Sequence, residues 1–157
     1  MVMAFVFCGL ISPDIERAGW ARICEGYPVR TASFKSPFSG SAAVLAVSHE
    51  TSEAYAIGSK EWWNPDKNPF FPRSSLLPGA RLIWFELSCF GGDCCEAGLA
   101  FRNGVVLMQS HGWVEAPAVN EPARDTEFQR LAMAIGREMP DPYFELFDQN
   151  FWLGYSG

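Results

Sequence analysis

The sequence predicts an α+β fold. A single domain over residues 1–157 holds an antiparallel β-meander of about five to six strands, with N-terminal and C-terminal helices packed on it. Three observations predict it. Arg81 to Gln109 reads as three consecutive strands with an Asn103-Gly104 turn and a Gly91-Gly92 loop between them. The chain opens on an apolar, β-rich segment that runs into Pro13 and a helical spacing. Between Arg124 and Arg137 lies its clearest amphipathic helix. A chain of 157 residues, 48% apolar and 15% aromatic, is long enough to bury a core without metal or disulfide staples.

Taken in order, Ala4 to Leu10 forms the first strand. Pro13 then opens a helix in which Trp20, Ile23, Cys24 and Tyr27 share a side, and Gly26 with Pro28 ends it. Thr31 to Gly40 is rich in Ser, Pro and Gly and reads as loop. Ala42 to Ser48 and Ala54 to Ile57 read as two short strands around a polar turn, and Gly58 to Gly79 carries four Pro and no period. Leu82 to Phe90 alternates, with Ile83, Phe85, Leu87 and Cys89 on one face and Trp84, Glu86 and Ser88 on the other. Asn-Gly is a type I′ turn signal, because both residues accept a positive φ. A two-residue loop there sets Phe101 opposite Val106 and Leu99 opposite Met108, all four on the core face. Glu115 to Pro122 is a Pro-punctuated linker. In the following helix Phe128, Leu131, Ala132 and Ile135 fall on one side, and a short aromatic helix after Pro142 brings Phe144, Phe147 and Phe151 together.

Charge and composition narrow the function. A net charge of −6 and a pI near 4.9 disfavour phosphate backbones and anionic lipid, so neither nucleic acid nor membrane is expected as a partner. A basic protein is the natural complement. The apolar start, Met1 to Ile11, lacks the basic region and cleavage site of a signal peptide, and no run reaches the ~20 residues of a membrane span. A cytoplasmic protein is expected. Five cysteines, two of them adjacent, make a poor disulfide framework and read as thiols.

Four constellations bear on chemistry. Cys89, Cys94, Cys95 and His111 lack the Cys-x2–4-Cys spacing of a zinc site, so no metal is expected. A nucleophile at Cys94 or Cys95 with His111 or His49 as base is the enzymatic alternative. The flanking Asp93 and Glu96 would raise the thiol pKa, against the needs of catalysis. Asp93 and Glu96 are themselves too weakly patterned to mark an acid–base pair. Nucleotide-binding motifs are missing from the sequence, and no cofactor is expected. The remaining constellation, Glu61-Trp62-Trp63-Asn64-Pro65-Asp66, sets tandem Trp between acids in a Pro-bounded loop. That chemistry suits a protein interface, although either ring could instead cap the core.

Several motifs together resemble a known group. A Phe90-Gly91-Gly92 turn precedes the hairpin G-L-A-F-R-N-G-V-V from Gly98 to Val106. A Leu131-x-x-x-Ile135-Gly136 helix and the tail P-Y-F-E-L-F-x-x-x-F-W from Pro142 to Trp152 follow. Over roughly residues 82–152 the chain is similar to the small immunity proteins of bacterial polymorphic and secreted toxin systems. The resemblance implies binding and neutralisation of a cognate toxin in the cytoplasm, such as a basic-clefted nuclease or nucleotide-modifying enzyme. Glu61, Trp62, Trp63, Asp66, Asp93 and Glu96 would form the acidic, aromatic-rimmed surface that occludes its active site. A small enzyme and an oligomerising domain, self-associated as a homodimer through Tyr143 to Trp152, are the competing readings.

Overall fold

A computed structural model describes residues 4–36, 38–48, 57, 60–90, 93–114, 126–139 and 145–147. Its centre is a strand that reads as an unbroken apolar run. In β1 (Ala4–Ser12), Val6, Cys8 and Leu10 point to one face while Phe7 and Ile11 point to the other, and all are buried. A strand apolar on both sides must be covered on both sides. Accordingly β1 lies inside the sheet, between β3 (Gly40–Ser48) and β4 (Leu82–Phe90). With β2 (Arg30–Phe34), β5 (Asp93–Arg102) and β6 (Val105–Val114), the order is β2-β3-β1-β4-β5-β6, every neighbour antiparallel. The fold is the α+β domain expected: an antiparallel sheet with helices from the N- and C-terminal parts of the chain packed on it.

The two faces carry separate cores. On one, Phe7, Phe34, Ile83 and Phe85 meet the helix α2 (Glu127–Ala134), whose Phe128, Leu131 and Ala132, with Ile135 just beyond it, form the apolar stripe read from the sequence. Thr126 caps that helix: its Oγ1 accepts from Gln129 N–H at 3.1 Å, and Gln129 Oε1 accepts from Thr126 N–H at 2.9 Å. Gly98 of β5 lets α2 come close, since a Cβ there would run into Leu131 and would stand 2.7 Å from Trp84 O. Phe147, from a 3-10 turn at Glu145–Phe147, stacks on Phe85 at 5.1 Å and meets Phe128 edge-on at 5.2 Å. The other face holds Leu10, Trp84, Leu99 and Phe101 beneath the short helix α1 (Trp20–Ile23) and the irregular segment after Lys60. At one corner Arg81 ties the parts together. It donates to both carboxylate oxygens of Asp14 at 2.8 Å and to Ile135 O at 2.8 Å.

Several expectations need correction. Residues 30–34 form a strand, not a loop. Arg30, Thr31 and Ser33 mask a period-two pattern in which Ala32 and Phe34 are buried. The first helix begins late, with a 3-10 turn at Arg17–Gly19 before Trp20. Ser12 Oγ accepts from Asp14 N–H and donates to Arg81 O, folding Pro13 into a turn. In the β5–β6 hairpin Asn103 and Gly104 take the positive φ expected (49° and 70°), and Phe101 does face Val106. Beyond that pair a bulge at Leu107 shifts the register, so Leu99 faces Gln109 and Met108 faces Ala100 on the α2 side. Val106 is 40% exposed and lines no core.

Of the expected strand Ala54 to Ile57 only Ile57 is described, and its carbonyl accepts from Lys60 N–H in a turn. The linker Glu115 to Pro122, Phe144 and Phe151 lie outside the described residues. Among the described residues no helix is long and apolar enough to cross a membrane.

Candidate functional site

The segment from Lys60 to Ala80 lacks helical or strand periodicity, so its backbone polar groups need other partners. Asn68 supplies them. Its Nδ2 donates to Trp62 O at 2.7 Å, and its Oδ1 accepts from Phe70 N–H at 2.8 Å and Phe71 N–H at 3.0 Å. Asn64 Oδ1 accepts from Asp66 N–H at 3.0 Å, closing the turn before it. These bonds divide the tandem tryptophans. Trp62 turns inward to 8% exposure and packs edge-on to Trp84 at 5.4 Å, Phe70 at 5.8 Å and Tyr27 at 5.9 Å. Trp63 turns toward β6 and stacks on His111, with ring centroids 5.0 Å apart and planes 15° from parallel.

Around Trp63 lie exposed acids. Glu61 holds an unusual φ of +56° and pairs with Lys67, whose hydrogen bond keeps the carboxyl below its ordinary pKa. Both partners are about half exposed, so the pair sets charge more than stability. Asp66 is exposed in the same turn. Glu61, Trp63 and His111 therefore meet at one surface, with Asp66 exposed in the adjoining turn.

Trp62 and Glu96 do not belong to it. Trp62 is core, the alternative left open by the sequence. Glu96 is 5% exposed on the opposite face, beneath α2. There its carboxyl faces the backbone N–H groups of Glu127 and Phe128 and the Arg130 guanidinium, all of which favour charge. Burial and the nearby Glu127 carboxylate outweigh them and push it up to about 7. The neighbouring Glu127 accepts from Ser110 Oγ and from Arg130 Nη1 at 3.0 Å and 3.1 Å, lying over Gly112, where a Cβ would collide with it. The side chain of Asp93 lies outside the described residues.

The cysteines separate as well. Cys89 and Cys94 stand opposite each other in the β4–β5 ladder and are joined as a disulfide, which corrects their reading as thiols. The signal was present in the sequence, since the two residues are symmetric about Gly91-Gly92 and a two-residue hairpin must pair them. With Cys94 oxidised, the nucleophile of the enzymatic reading is reduced to Cys95. It does share a face with His111, as a diagonal neighbour across β5 and β6. Burial, Glu86 and Glu96 all raise the Cys95 thiol, the opposite of what a nucleophile needs. Burial likewise pushes Cys24 up to about 12 and raises Cys8. His49 lies outside the described residues. Among the described residues no three His, Cys, Asp or Glu side chains are placed to hold a metal ion.

One group escaped sequence reasoning altogether. Glu86, on β4 beneath the Trp62-Trp63 turn, is 7% exposed, and neither carboxylate oxygen forms a hydrogen bond of ordinary geometry. The nearby Trp84 indole N–H and Trp63 backbone N–H favour its charge at longer range, but burial dominates and pushes it up to about 7. The strict alternation of Leu82 to Phe90 had placed Glu86 on the same side as Trp84. What it could not show is that this side is also covered.

No protein-family model, curated protein or solved structure matches this chain.

Proposed function

We propose that the protein is an immunity protein. It binds a cognate bacterial toxin acting in the cytoplasm and blocks the toxin's active site with the surface formed by Glu61, Trp63, Asp66 and His111. The observation that carries this reading is the Trp63–His111 stack beside two exposed carboxylates. A half-buried Trp held by a second ring loses little freedom on binding, which is the behaviour of an interface hot spot. Exposed acids on a chain of net charge −6 suit a basic cleft that takes nucleic acid or nucleotides. The raised thiols fit an occluding role better than a catalytic one. Mechanistically, the carboxylates steer encounter by standing where a substrate phosphate would, and the stacked rings desolvate to hold the complex.

The test is a binding titration against the toxin that the chain protects from, with protection of growing cells measured in parallel. Trp63→Ala and the double reversal Glu61→Lys/Asp66→Lys should each weaken binding by about tenfold or more, with the thermal midpoint unchanged. Full affinity and full protection in both variants would exclude this surface.

A further inference from the structure

We infer that Trp63 is a proton-controlled gate: when Glu86 gives up its proton, the indole swings off His111 and lets water reach the carboxylate. Glu86, Ala97 and His111 stand opposite one another in a row across β4, β5 and β6, with Cys8 of β1 on the far side of Glu86. Residues opposed in this way share a face of the sheet. Ala97 puts no more than a methyl group between the buried carboxyl and the exposed imidazole. Trp63 lies over that gap. Its ring stacks on His111, and its backbone N–H is turned toward Glu86.

The gate has a fixed side and a free side. Trp62 is seated among Tyr27, Phe70 and Trp84, and Asn68 donates to its carbonyl. Trp63 is only half-buried, and Glu61, Asp66 and Lys67 beside it are exposed. Magnitudes decide which contact yields. Burial holds the Glu86 carboxyl at about 7 against an ordinary 4.5, so the ionised group prefers water by up to a few hundredfold. A ring stack is worth about tenfold. The stack is the weaker of the two.

Below about 4.5 the carboxyl is neutral with the gate shut or open, and the stack keeps it shut. Opening grows as pH rises from there and levels off above about 7. Among the described residues, Cys8, Cys95, His111, Glu61, Lys60 and Lys67 are the titratable groups around Glu86. Both thiols are raised, so they stay neutral over this range. Glu61, ionised beside Lys67, adds repulsion that favours opening. Imidazoles as a class change charge near neutral pH, so His111 has to be separated from Glu86 by variants. Binding through the surface proposed above should weaken as the gate opens, and that consequence alone rests on the proposed function.

The experiment uses the chain by itself, followed by NMR between about pH 4 and about pH 8, the range that brackets the Glu86 titration. The Trp84 indole N–H is buried next to Glu86 and reports water entry. Corrected for intrinsic pH dependence, its exchange should quicken by about a hundredfold over that range. The Trp20 indole N–H, on the same face but donating to Ser41 Oγ, should stay far slower throughout. Glu86→Gln should abolish the quickening. Trp63→Ala should return the Glu86 carboxyl toward its ordinary value, read from its carbon resonance. Flat wild-type exchange at Trp84 overturns the inference without any variant, as do equal rates at Trp84 and Trp20, which mean unfolding of the whole domain. A quickening that survives Glu86→Gln assigns it to His111, and a Trp63→Ala chain whose Glu86 still titrates near 7 leaves Trp63 no gating role. Either result overturns it as well.

Discussion

Glu86 and Glu96 stand one register step apart on β4 and β5 and face opposite sides of the same sheet. Each is buried, and each is pushed up to about 7. They differ in company. Glu96 sits at the start of α2 among groups that favour its charge, whereas Glu86 lies under the Trp62-Trp63 turn with both oxygens unpartnered. Both carboxyls burden the core when they ionise, and only Glu96 has the backbone N–H groups of α2 to offset part of that cost.

The burden has a definite pH dependence. A carboxyl raised from 4.5 to about 7 holds its proton more tightly folded than unfolded. Between those values the folded chain binds more protons, so stability is greatest below the lower value and falls as pH rises through the upper one. Asp14, lowered by its hydrogen bond to Arg81, acts in the other direction but only under more acid conditions. Glu86→Gln should therefore stabilise the chain at pH 8 by about 1–3 kcal/mol and leave it nearly unchanged at pH 4.5. Urea melts at the two pH values measure this, and equal effects at both would contradict it.

Glu96→Ala should do the reverse at neutral pH. It strips the carboxyl from the Glu127 and Phe128 N–H groups at the first turn of α2 and opens a void beneath the helix. A loss of about 1–3 kcal/mol is expected. Thr126→Ala, which removes only the capping box, should cost about 1 kcal/mol. Amide exchange should show the excess loss concentrated in Glu127 to Leu131, and a loss spread evenly over the sheet would contradict the assignment.

How far the residues announced all this depends on whether local pattern or register decided the outcome. The apolar run of β1, the alternation of β4 and the stripe of α2 are local, and each was legible. The bulge at Leu107 was not, because no residue type demands it. Yet it decides the site. An unbulged ladder would set His111 opposite Glu96 on the α2 side, whereas the shifted one sets it opposite Ala97, on the face that Trp63 covers. The fates of Trp62 and Trp63 were equally hidden. They depend on Asn68, a polar residue several positions away that bonds one turn of backbone into place.

The disulfide offers a test of that two-faced arrangement. Cys89 and Cys94 pack against the α2-side core, away from Trp63 and His111. They close a loop with a sequence separation of only 5, so reduction should cost roughly 2 kcal/mol by loop entropy. A reducing environment would open the bond. Stability with and without a thiol reductant should differ by about that amount, while affinity for the proposed toxin partner stays the same. A large change in affinity would place the binding surface on the wrong side of the sheet.

The adjacent tryptophans give the sharpest contrast. Trp62 touches Tyr27, Phe70 and Trp84, and its removal leaves a cavity above the centre of the sheet. Trp62→Ala should cost about 3–5 kcal/mol, the range for a large buried aromatic, and lower affinity only through unfolding. Trp63→Ala loses the stacked contact with His111 at the edge and should cost less than about 1 kcal/mol. The pair thus separates stability from binding along one peptide bond. Denaturant midpoints would rank Trp62→Ala far below Trp63→Ala. Titrations under folding conditions would rank them the other way. If instead both variants lost stability alike, Trp63 would be part of the core and the proposed surface would lose its anchor.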